Sequence, residues 1–450
     1  MLKQNTGLYT DYYELTMAQG HFLKQRSDLT ATFDYFFREN PFAGGYVIFA
    51  GLQDFLSLLE NFRFDKESLT YLQNQGFSEK FVAFLSDFKF QGDIYACREG
   101  EIVFPGEPTI RVEGNIIEAQ LIETMLLNIV NFSSLITTKA SRMTQIAGDR
   151  KIVDFGLRRA QGTGGILASK ATIIGGATAT SNAYSAQQFD LPATGTQAHS
   201  WVQSYDSELS AFRDFAEIYP QNCVLLVDTY DTLQSGLPNA IQVAKEMEKR
   251  GEKLLGIRLD SGDLGQLSKK ARQMLDNAGL DYVKIAASGQ LDEYKIQKLL
   301  ADGAPIDLFG VGTRLITGKN DAALNGVYKL SQIGGQPTLK ISEDREKIIL
   351  PGRKNILRYS ENKFQKDKII LEKEKKSLDQ SKEFLLKKVV DKGQKIIPEK
   401  NAAEISEYRN KRLALLPLKY KKITDPDKYQ VKISDRLKSL QEKLIAEKAN

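Results

Sequence analysis

Hydrophobic and polar residues follow helix-like spacing in some parts of the chain and strand-like spacing in others, and this predicts the first elements. Residues 11–21 carry apolar positions at helical spacing behind a Thr-Asp cap, and residues 33–37 alternate as a strand does. Residues 94–112 contain short β-prone stretches separated by glycine and proline, which indicates a small sheet-rich part. From residue 118 to about 143 the apolar residues fall on one helical face, so a long helix is expected.

A different rhythm, of short apolar runs followed by polar or glycine-bearing turns, begins after residue 150. The runs span residues 152–155, 224–227, 254–259, 282–287 and 306–311. The spacing between the starts of the last four runs suits a strand plus a crossover helix, and helical patterns fill the gaps. This region therefore predicts parallel β/α units, arranged as a barrel or an open sheet.

Side chains capable of catalysis or ligand binding come directly after these predicted strands. This favours a barrel with its active site at the strand ends over loops that lie apart from one another. We place this barrel domain at residues 146–330, after an N-terminal α/β domain at residues 1–145. Residues 331–450 form a Lys-rich segment of mixed-sign charge. Its last helix carries an apolar stripe, so we expect it to dock on the rest of the protein.

Composition limits the class of protein. A chain of 450 residues is too long for one ordinary core, and 42% hydrophobic with 26% charged residues is typical of a globular protein. Lys and Arg number 62 against 57 Asp and Glu, a net charge of +5. This excess is too small to indicate a nucleic-acid partner, and it is compatible with anionic substrates.

Cysteine usage and the N-terminus point to the cytoplasm. Cys97 and Cys223 lie far apart and form no CxxC pair, so we expect two buried thiols rather than a disulfide or a zinc site. The N-terminus is polar where a secretory signal needs an apolar run, and no apolar stretch approaches membrane-spanning length. We therefore expect a cytoplasmic protein without a membrane segment.

The segment GIRLDSGDL, from residue 256 to 264, is the most informative motif. A predicted strand leads into Arg258, Asp260, Ser261, Gly262 and Asp263. Two carboxylates and a guanidinium beside a glycine turn suit a polyphosphate that carries Mg²⁺, because hard cations take carboxylate oxygens and arginine forks onto phosphate. The alternative interpretation is a turn at the surface in which these charged side chains form ion pairs with one another.

Two glycine-bearing loops, ASGQ and FGVGT, follow the next two predicted strands. They contain Ser288 and Gly289 in the first loop, and Gly310, Gly312 and Thr313 in the second. Glycines let backbone N–H groups approach phosphate oxygens, and the start of a following helix favours negative charge. Two such loops on successive units predict a phosphate site of the kind built after late barrel strands.

Two further segments carry groups suited to a planar acid and to covalent chemistry. In FGLRRAQG, Phe155 can stack on a heterocycle while Arg158 binds a carboxylate. In GTQAHSW, His199 can act as a base, a ligand or a nucleophile, and Asp228 of VDTYD is its candidate partner. The other histidine, His21, lies on the predicted N-terminal helix and is interpreted as structural.

Taken together, these motifs resemble the nicotinate phosphoribosyltransferase family. Seven segments occur in that family's order: LYTDYYELTMAQ, DFGLRRAQG, a GG followed by TSN, GTQAHSW, VDTYDT, RLDSGDL and FGVGTRL. The resemblance spans about residues 5–330 and fades in the Lys-rich segment. It implies a type II phosphoribosyltransferase fold, an irregular β/α barrel with an α/β companion domain built from the N- and C-terminal segments. It also implies a homodimer with shared active sites.

The resemblance assigns a reaction and residue roles. Nicotinate, phosphoribosyl pyrophosphate, ATP and water would give nicotinate mononucleotide, pyrophosphate, ADP and phosphate in NAD biosynthesis, with Mg²⁺ on the diphosphate. Tyr13 matches a ring that the neighbouring subunit stacks on nicotinate, and Phe155 and Arg158 match the pyridine and carboxylate pocket. His199 matches a histidine that ATP phosphorylates, and Asp228 its carboxylate partner. The phosphoribosyl and pyrophosphate loops match Arg258, Asp260, Asp263, Ser288, Gly289, Gly312 and Thr313.

Two other functions remain compatible with this sequence. A nicotinamide phosphoribosyltransferase would share the fold, but several relatives have an acidic residue where this chain has Thr178, and a carboxylate there would repel nicotinate. A non-catalytic barrel that binds a phosphometabolite would keep the glycine loops without needing His199 or the DSGD carboxylates. No basic motif with interleaved aromatic residues supports RNA binding by the Lys-rich segment.

Overall fold

The structure is a computed structural model that describes residues 6–341, 349–379 and 381–449. The chain forms two compact units, one from Met1–Leu135 together with Ala323–Asn450 and the other from Ile136–Ala322. The helix over Glu123–Ala147 and the strand over Gly326–Ile333 run through the positions at which the sequence analysis places its domain boundaries.

The described residues form sixteen α-helices. Their bounds are α1 Tyr12–Leu23, α2 Leu52–Leu59, α3 Lys66–Asn74, α4 Glu79–Ser86, α5 Ile116–Leu121, α6 Glu123–Ala147, α7 Gly164–Ile174, α8 Ala183–Phe189, α9 His199–Gln203, α10 Glu208–Ile218, α11 Leu237–Lys249, α12 Leu264–Asn277, α13 Glu293–Ala301, α14 Thr313–Ile316, α15 Ala402–Leu415 and α16 Asp435–Ala449. The long helix predicted from residue 118 is thus two helices, α5 and α6.

The strands are short, as the apolar runs predict. Their bounds are β1 Thr30–Phe37, β2 Val47–Ile48, β3 Asp93–Ala96, β4 Ile102–Val103, β5 Ile110–Asn115, β6 Lys151–Asp154, β7 Ala179–Thr180, β8 Val224–Leu226, β9 Gly256–Leu259, β10 Lys284–Ser288, β11 Leu308–Val311, β12 Gly326–Ile333, β13 Gln336–Pro337, β14 Lys354–Ser360, β15 Phe364–Leu371, β16 Glu383–Phe384, β17 Lys387–Asp391, β18 Gln394–Lys395 and β19 Val431–Ile433.

The first unit combines strands from both ends of the chain. Its larger sheet has the order β13-β12-β1-β5-β3-β17-β18, in which β12 and β17 pair antiparallel with β1 and β3. A smaller sheet has the order β16-β14-β15-β19. Since β12 and β17 come from beyond residue 322, the C-terminal segment completes a sheet begun by the N-terminal one.

The described residues of the Lys-rich segment form strands and helices and make buried ion pairs. Arg358 on β14 is fully buried and pairs with Glu101 at 2.6 Å and Asp367 at 2.5 Å, which compensates for removing its charge from water. Leu437 on α16 is buried against Ile369 and Leu371 of β15. The last helix therefore docks through its apolar stripe, as expected.

The second unit is a parallel half-barrel of six strands in the order β7-β6-β11-β10-β9-β8. Five of these strands match the five predicted apolar runs, and helices lie between them along the chain. The sixth strand, β7, is only two residues long and has no matching apolar run in the sequence. The predicted α/β fold with a β/α barrel is confirmed, and all the strands present their carboxyl ends at one edge.

One expectation about apolar segments is wrong. The helical run over residues 116–147 is long and apolar enough to cross a membrane by length and composition, because the apolar residues of α5 and α6 are continuous. However, 67% of the qualifying window is buried inside the protein, and core helices pass the same test. Cys97 and Cys223 are free and buried, as predicted.

Candidate active site

The carboxyl ends of β8, β9 and β10 bring predicted residues into one hydrogen-bonded cluster. Asp228, which follows β8, accepts a hydrogen bond from the backbone N–H of Asp260 at 2.9 Å and another from the Ser261 hydroxyl at 2.7 Å. Asp260 accepts in turn from the hydroxyl of Ser288 at the end of β10. Parallel pairing explains this, because it puts the carboxyl ends of neighbouring strands at the same edge.

His199 lies next to this cluster as the first residue of α9. Its Nδ1 is 3.1 Å from the Thr229 hydroxyl, and its Nε2 is 4.0 Å from Oδ1 of Asp228. A separation of 4.0 Å is too long for a hydrogen bond. Oδ1 of Asp228 is buried and has no hydrogen-bond partner among the described residues. The predicted pair is therefore adjacent but not bonded, and Thr229 is a contact that the sequence analysis did not single out.

The ring of Phe155 fills a space that glycine leaves open on β11. A Cβ atom on Gly310 would lie 2.4 Å from a carbon of this ring, so a side chain there would displace it. The guanidinium carbon of Arg258 is 5.8 Å from the ring centroid, within the range of a cation–π interaction. Arg258 lies inside β9 rather than after it. Gly310, predicted to bind phosphate, thus also determines the position of Phe155.

A buried aspartate that the sequence analysis missed anchors the loop after β6. Asp154 accepts hydrogen bonds from the N–H of Gly156 at 2.8 Å, the Ser169 hydroxyl at 2.8 Å and the Thr180 hydroxyl at 2.7 Å. Burial raises the pKa of the Asp154 carboxyl, and these hydrogen bonds oppose the rise. The sequence does contain a signal for this contact, because Asp154 begins the motif DFGLRRAQG and Thr180 begins the motif TSN. In the same loop, Arg158 is exposed and donates to the carbonyl of Phe155 at 3.3 Å.

The glycine of the ASGQ loop permits a close backbone contact. Gly289 has a φ of +95°, and a Cβ atom there would lie 2.1 Å from the carbonyl oxygen of Asp260. Of the second predicted loop, Phe309, Gly310 and Val311 lie inside β11, Gly312 follows it, and Thr313 is the exposed first residue of α14. The two motifs therefore lie at the ends of adjacent strands, β10 and β11, and only their last residues follow the strands.

A salt bridge that the sequence analysis did not anticipate connects the elements after these loops. Oδ2 of Asp292 accepts from Arg314 of α14 at 2.8 Å, while its Oδ1 caps α13 by accepting from the N–H of Lys295. The adjacent Glu293 is buried and pairs with Lys139 and Arg142 of α6. The start of α13 is thus held by ion pairs on two sides.

The DSGD carboxylates, predicted to bind Mg²⁺, do not form a metal site by themselves among the described residues. Asp263 uses Oδ1 to cap α12, accepting from the N–H of Gln266 at 3.1 Å, and Asp260 is bonded to Ser288. No group of three or more His, Cys, Asp or Glu suited to a metal occurs among the described residues. Mg²⁺ commonly binds through one or two carboxylates plus substrate phosphates. These two aspartates fit that type of site, with the diphosphate completing it.

Tyr13, the remaining predicted site residue, belongs to the first unit. It lies on α1, and 48% of its surface is exposed. Tyr12 and Met17 on the same helix are exposed to a similar extent. The structure therefore presents this ring to the surroundings rather than packing it into the core.

The half-barrel and the reactive side chains at its strand ends place this chain in the class of β/α-barrel enzymes. Three family models match it: the nicotinate phosphoribosyltransferase N-terminal domain over residues 8–131, the nicotinate phosphoribosyltransferase family over residues 150–382, and the nicotinate phosphoribosyltransferase C-terminal domain over residues 353–441. The chain belongs to the nicotinate phosphoribosyltransferase family.

Individual relatives agree with this assignment. The nicotinate phosphoribosyltransferase of Bacillus subtilis strain 168 is 43% identical over 95% of this chain and 93% of the relative. That of Bos taurus is 31% identical over 98% of this chain and 96% of the relative. The crystal structure of human nicotinic acid phosphoribosyltransferase matches with a TM-score of 0.87 and 29% identity, covering 97% of this chain and 99% of the human one.

Proposed function

We propose that this protein catalyses the ATP-coupled transfer of a phosphoribosyl group from phosphoribosyl pyrophosphate to nicotinate, in the cytoplasm. The observation that carries the proposal is the strand-end cluster of Asp228, Asp260 and Ser288 beside His199, in a chain of this family. This reaction makes nicotinate mononucleotide for NAD biosynthesis.

In the proposed complex, nicotinate lies against the ring of Phe155, and its carboxylate meets Arg158. Both residues follow β6, whose loop is anchored by Asp154. Arg158 is exposed, so its guanidinium is available to a ligand. A planar fork of N–H donors matches a carboxylate, which nicotinate has and nicotinamide lacks.

Phosphoribosyl pyrophosphate occupies the strand-end loops. The proposed contacts are Arg258, Asp260, Ser261, Gly262, Asp263, Ser288, Gly289, Gly310, Gly312 and Thr313. Mg²⁺ on the diphosphate, held by Asp260 and Asp263, would supply positive charge to the leaving group. The pyridine nitrogen attacks the anomeric carbon as pyrophosphate leaves, and its free lone pair needs no general base. Arg258 then stabilises the charge that develops on the leaving group.

ATP acts through His199. Oδ1 of Asp228 lies 4.0 Å from Nε2 and would have to move closer to accept a hydrogen bond from a protonated Nε2, which leaves Nδ1 as the nitrogen that accepts the γ-phosphoryl group as ADP leaves. The Thr229 hydroxyl, now at 3.1 Å from Nδ1, must turn aside for this attack. Water then cleaves the P–N bond, which releases phosphate and restores the imidazole. Hydrolysis of this bond would drive the transfer toward the mononucleotide.

Phosphate labelling tests the role of His199. With γ-³²P-labelled ATP, the protein should gain a label that is labile in acid and stable in base, as a phosphoramidate is. His199→Ala should lose the label and the stimulation by ATP but keep some transfer, because the pyridine attacks without the imidazole. His21→Ala, which alters the other histidine, is the control and should be labelled normally. Labelling that persists in His199→Ala would exclude this mechanism.

Adjacent arginines provide a matched test of the nicotinate pocket. Arg158→Ala should raise the KM for nicotinate by roughly 10- to 100-fold, since a hydrogen bond to a charged group is worth about 1.5–3 kcal/mol. The KM for phosphoribosyl pyrophosphate should change much less. Arg159→Ala, at the neighbouring exposed position, is the control. Equal losses for both substrates in Arg158→Ala would contradict the assignment.

We further propose that Tyr13 of one subunit stacks on nicotinate in the other subunit of a homodimer. Its exposure on α1 supports this, because an aromatic ring facing outward is available to a partner. Mixing Tyr13→Ala with His199→Ala subunits should restore part of the ATP-stimulated activity at low nicotinate concentration, since one hybrid site would contain both native residues. If mixed dimers form and this activity does not exceed that of either variant alone, the site is not shared.

A further inference from the structure

The side chain of Gln197 is buried at the active site without a hydrogen-bond partner. It lies two residues before His199, in GTQAHSW, and only 5% of the residue is exposed. Neither its amide oxygen nor its amide nitrogen has a partner in residues 6–341, 349–379 and 381–449. Buried polar groups are nearly always hydrogen-bonded, and an unpaired one costs free energy. The amide is therefore a candidate for a ligand contact.

A third unpaired polar atom belongs to a residue in contact with Gln197. The guanidinium Nη2 of Arg258 donates to the backbone carbonyl of Gln197 at 3.0 Å. The Nε atom of Arg258 is also buried and has no partner in the described part of the chain. Two residues joined by a hydrogen bond thus supply three unpaired polar atoms next to His199.

The chemistry of these atoms restricts the ligand. The amide nitrogen of Gln197 and Nε of Arg258 donate hydrogen bonds, whereas the amide oxygen of Gln197 needs a donor. The carboxylate and ring nitrogen of nicotinate can only accept, and so can ionised phosphate oxygens. A pair of sugar hydroxyls can satisfy all three atoms, because each hydroxyl both donates and accepts.

We propose that Gln197 binds the vicinal hydroxyls of a substrate ribose, with Arg258 as the second donor. This rests on the proposed function, which brings two ribose-containing substrates to the site. Phosphoribosyl pyrophosphate is the first candidate, because Arg258 also lies beside the ring of Phe155, where the sugar must meet nicotinate. The ribose of ATP has the same chemistry, and kinetics distinguish the two.

Steady-state kinetics of Gln197→Met test the proposal, because methionine has a similar length and no amide. The KM for phosphoribosyl pyrophosphate should rise by roughly 5- to 100-fold, because the variant loses two uncharged hydrogen bonds, one from the amide nitrogen and one to the amide oxygen. The KM for nicotinate and the inhibition constant of pyrophosphate, which has no ribose, should stay within about twofold. Gln203→Met, an exposed position at the end of α9, is the control.

The outcomes separate this proposal from the function on which it rests. Failure of the wild-type protein to make nicotinate mononucleotide would remove the proposed function itself. An active wild type with unchanged KM values in Gln197→Met would overturn only the role of Gln197, as would a rise in the KM for nicotinate alone. A rise in the KM for ATP alone would assign the same diol chemistry to the ATP ribose.

A binding measurement on the wild-type protein tests the proposal even if the variant does not fold. Nicotinate mononucleotide should bind about tenfold more tightly than its 2′,3′-dideoxy form, and Gln197→Met should reduce that preference. Equal affinity of the wild type for both nucleotides would overturn the proposal. Thermal unfolding of ligand-free Gln197→Met should occur at or above the wild-type temperature, because the variant removes a buried amide that lacks a partner.

Discussion

Replacing Glu123 with glutamine should reduce the loss of stability that the protein shows as pH rises. Burial raises the pKa of the Glu123 carboxyl from 4.5 to about 7, and the carboxylate of Glu14 adds to this rise. Lys329 and a hydrogen bond with Tyr13 oppose it, while Asp11 contributes in the same direction as Glu14. Glu14 is itself fully buried, which raises the pKa of its carboxyl as well. Two acidic groups therefore share one buried region of the first unit.

The sign of the effect follows from proton binding. Because its pKa is higher in the folded chain, Glu123 holds its proton more tightly there than in the unfolded chain. Its contribution to stability is complete below about pH 4.5 and is lost as pH rises through about 7. A shift from 4.5 to about 7 corresponds to roughly 3 kcal/mol. Partial access of water to Glu123 reduces the expected effect to about 1–3 kcal/mol.

Urea unfolding at pH 5 and pH 8 measures this effect. Between these values the wild type should lose about 1–3 kcal/mol more than Glu123→Gln, because the amide does not titrate. The same substitution at Glu67, an exposed glutamate in the first turn of α3, is the control. If wild type and Glu123→Gln lose equal stability between pH 5 and pH 8, burial does not raise the pKa of the Glu123 carboxyl.

Two further substitutions test the loops that are proposed to bind phosphate. Gly289→Ala should cost roughly 2–4 kcal/mol in urea unfolding, since its Cβ would lie 2.1 Å from the carbonyl oxygen of Asp260. Gly303→Ala, which shares a positive φ but meets open space, should cost less than half as much. Asp292→Asn keeps the cap of α13 and loses the ion pair with Arg314, so the KM for phosphoribosyl pyrophosphate should rise about 3- to 10-fold in steady-state kinetics. A rise in the KM for nicotinate of the same size would show that the ion pair does not act on the phosphate loops.

The strands of the half-barrel could be predicted because strands covered on both faces are short continuous apolar runs. This pattern is local, so one sequence suffices to find β6, β8, β9, β10 and β11. It fails for β7, whose two residues, Ala179 and Thr180, form no run. It also fails at the junction of α5 and α6, where the apolar face continues although the helix does not.

The sequence by itself determined which site residues lie at the strand ends. Asp228, Asp260 and Ser288 end or follow predicted strands, and parallel order alone brings such positions to one edge. Position after a strand does not by itself show that a side chain is free to bind a ligand. Asp263 lies in the DSGD motif with Asp260, but it is also the N-cap of α12, and its Oδ1 accepts a hydrogen bond from the helix.

Only the tertiary structure decided which side chains touch across the site. Asp154 of β6 bonds to Thr180 of β7, and Gly310 of β11 makes room for Phe155 in the loop after β6. These residues are far apart in the sequence, so no local pattern shows that they touch. The importance of Gln197 is likewise invisible in the sequence, because glutamine is usually exposed. It becomes notable only once folding buries its amide without a partner, since water satisfies the same amide in the unfolded chain.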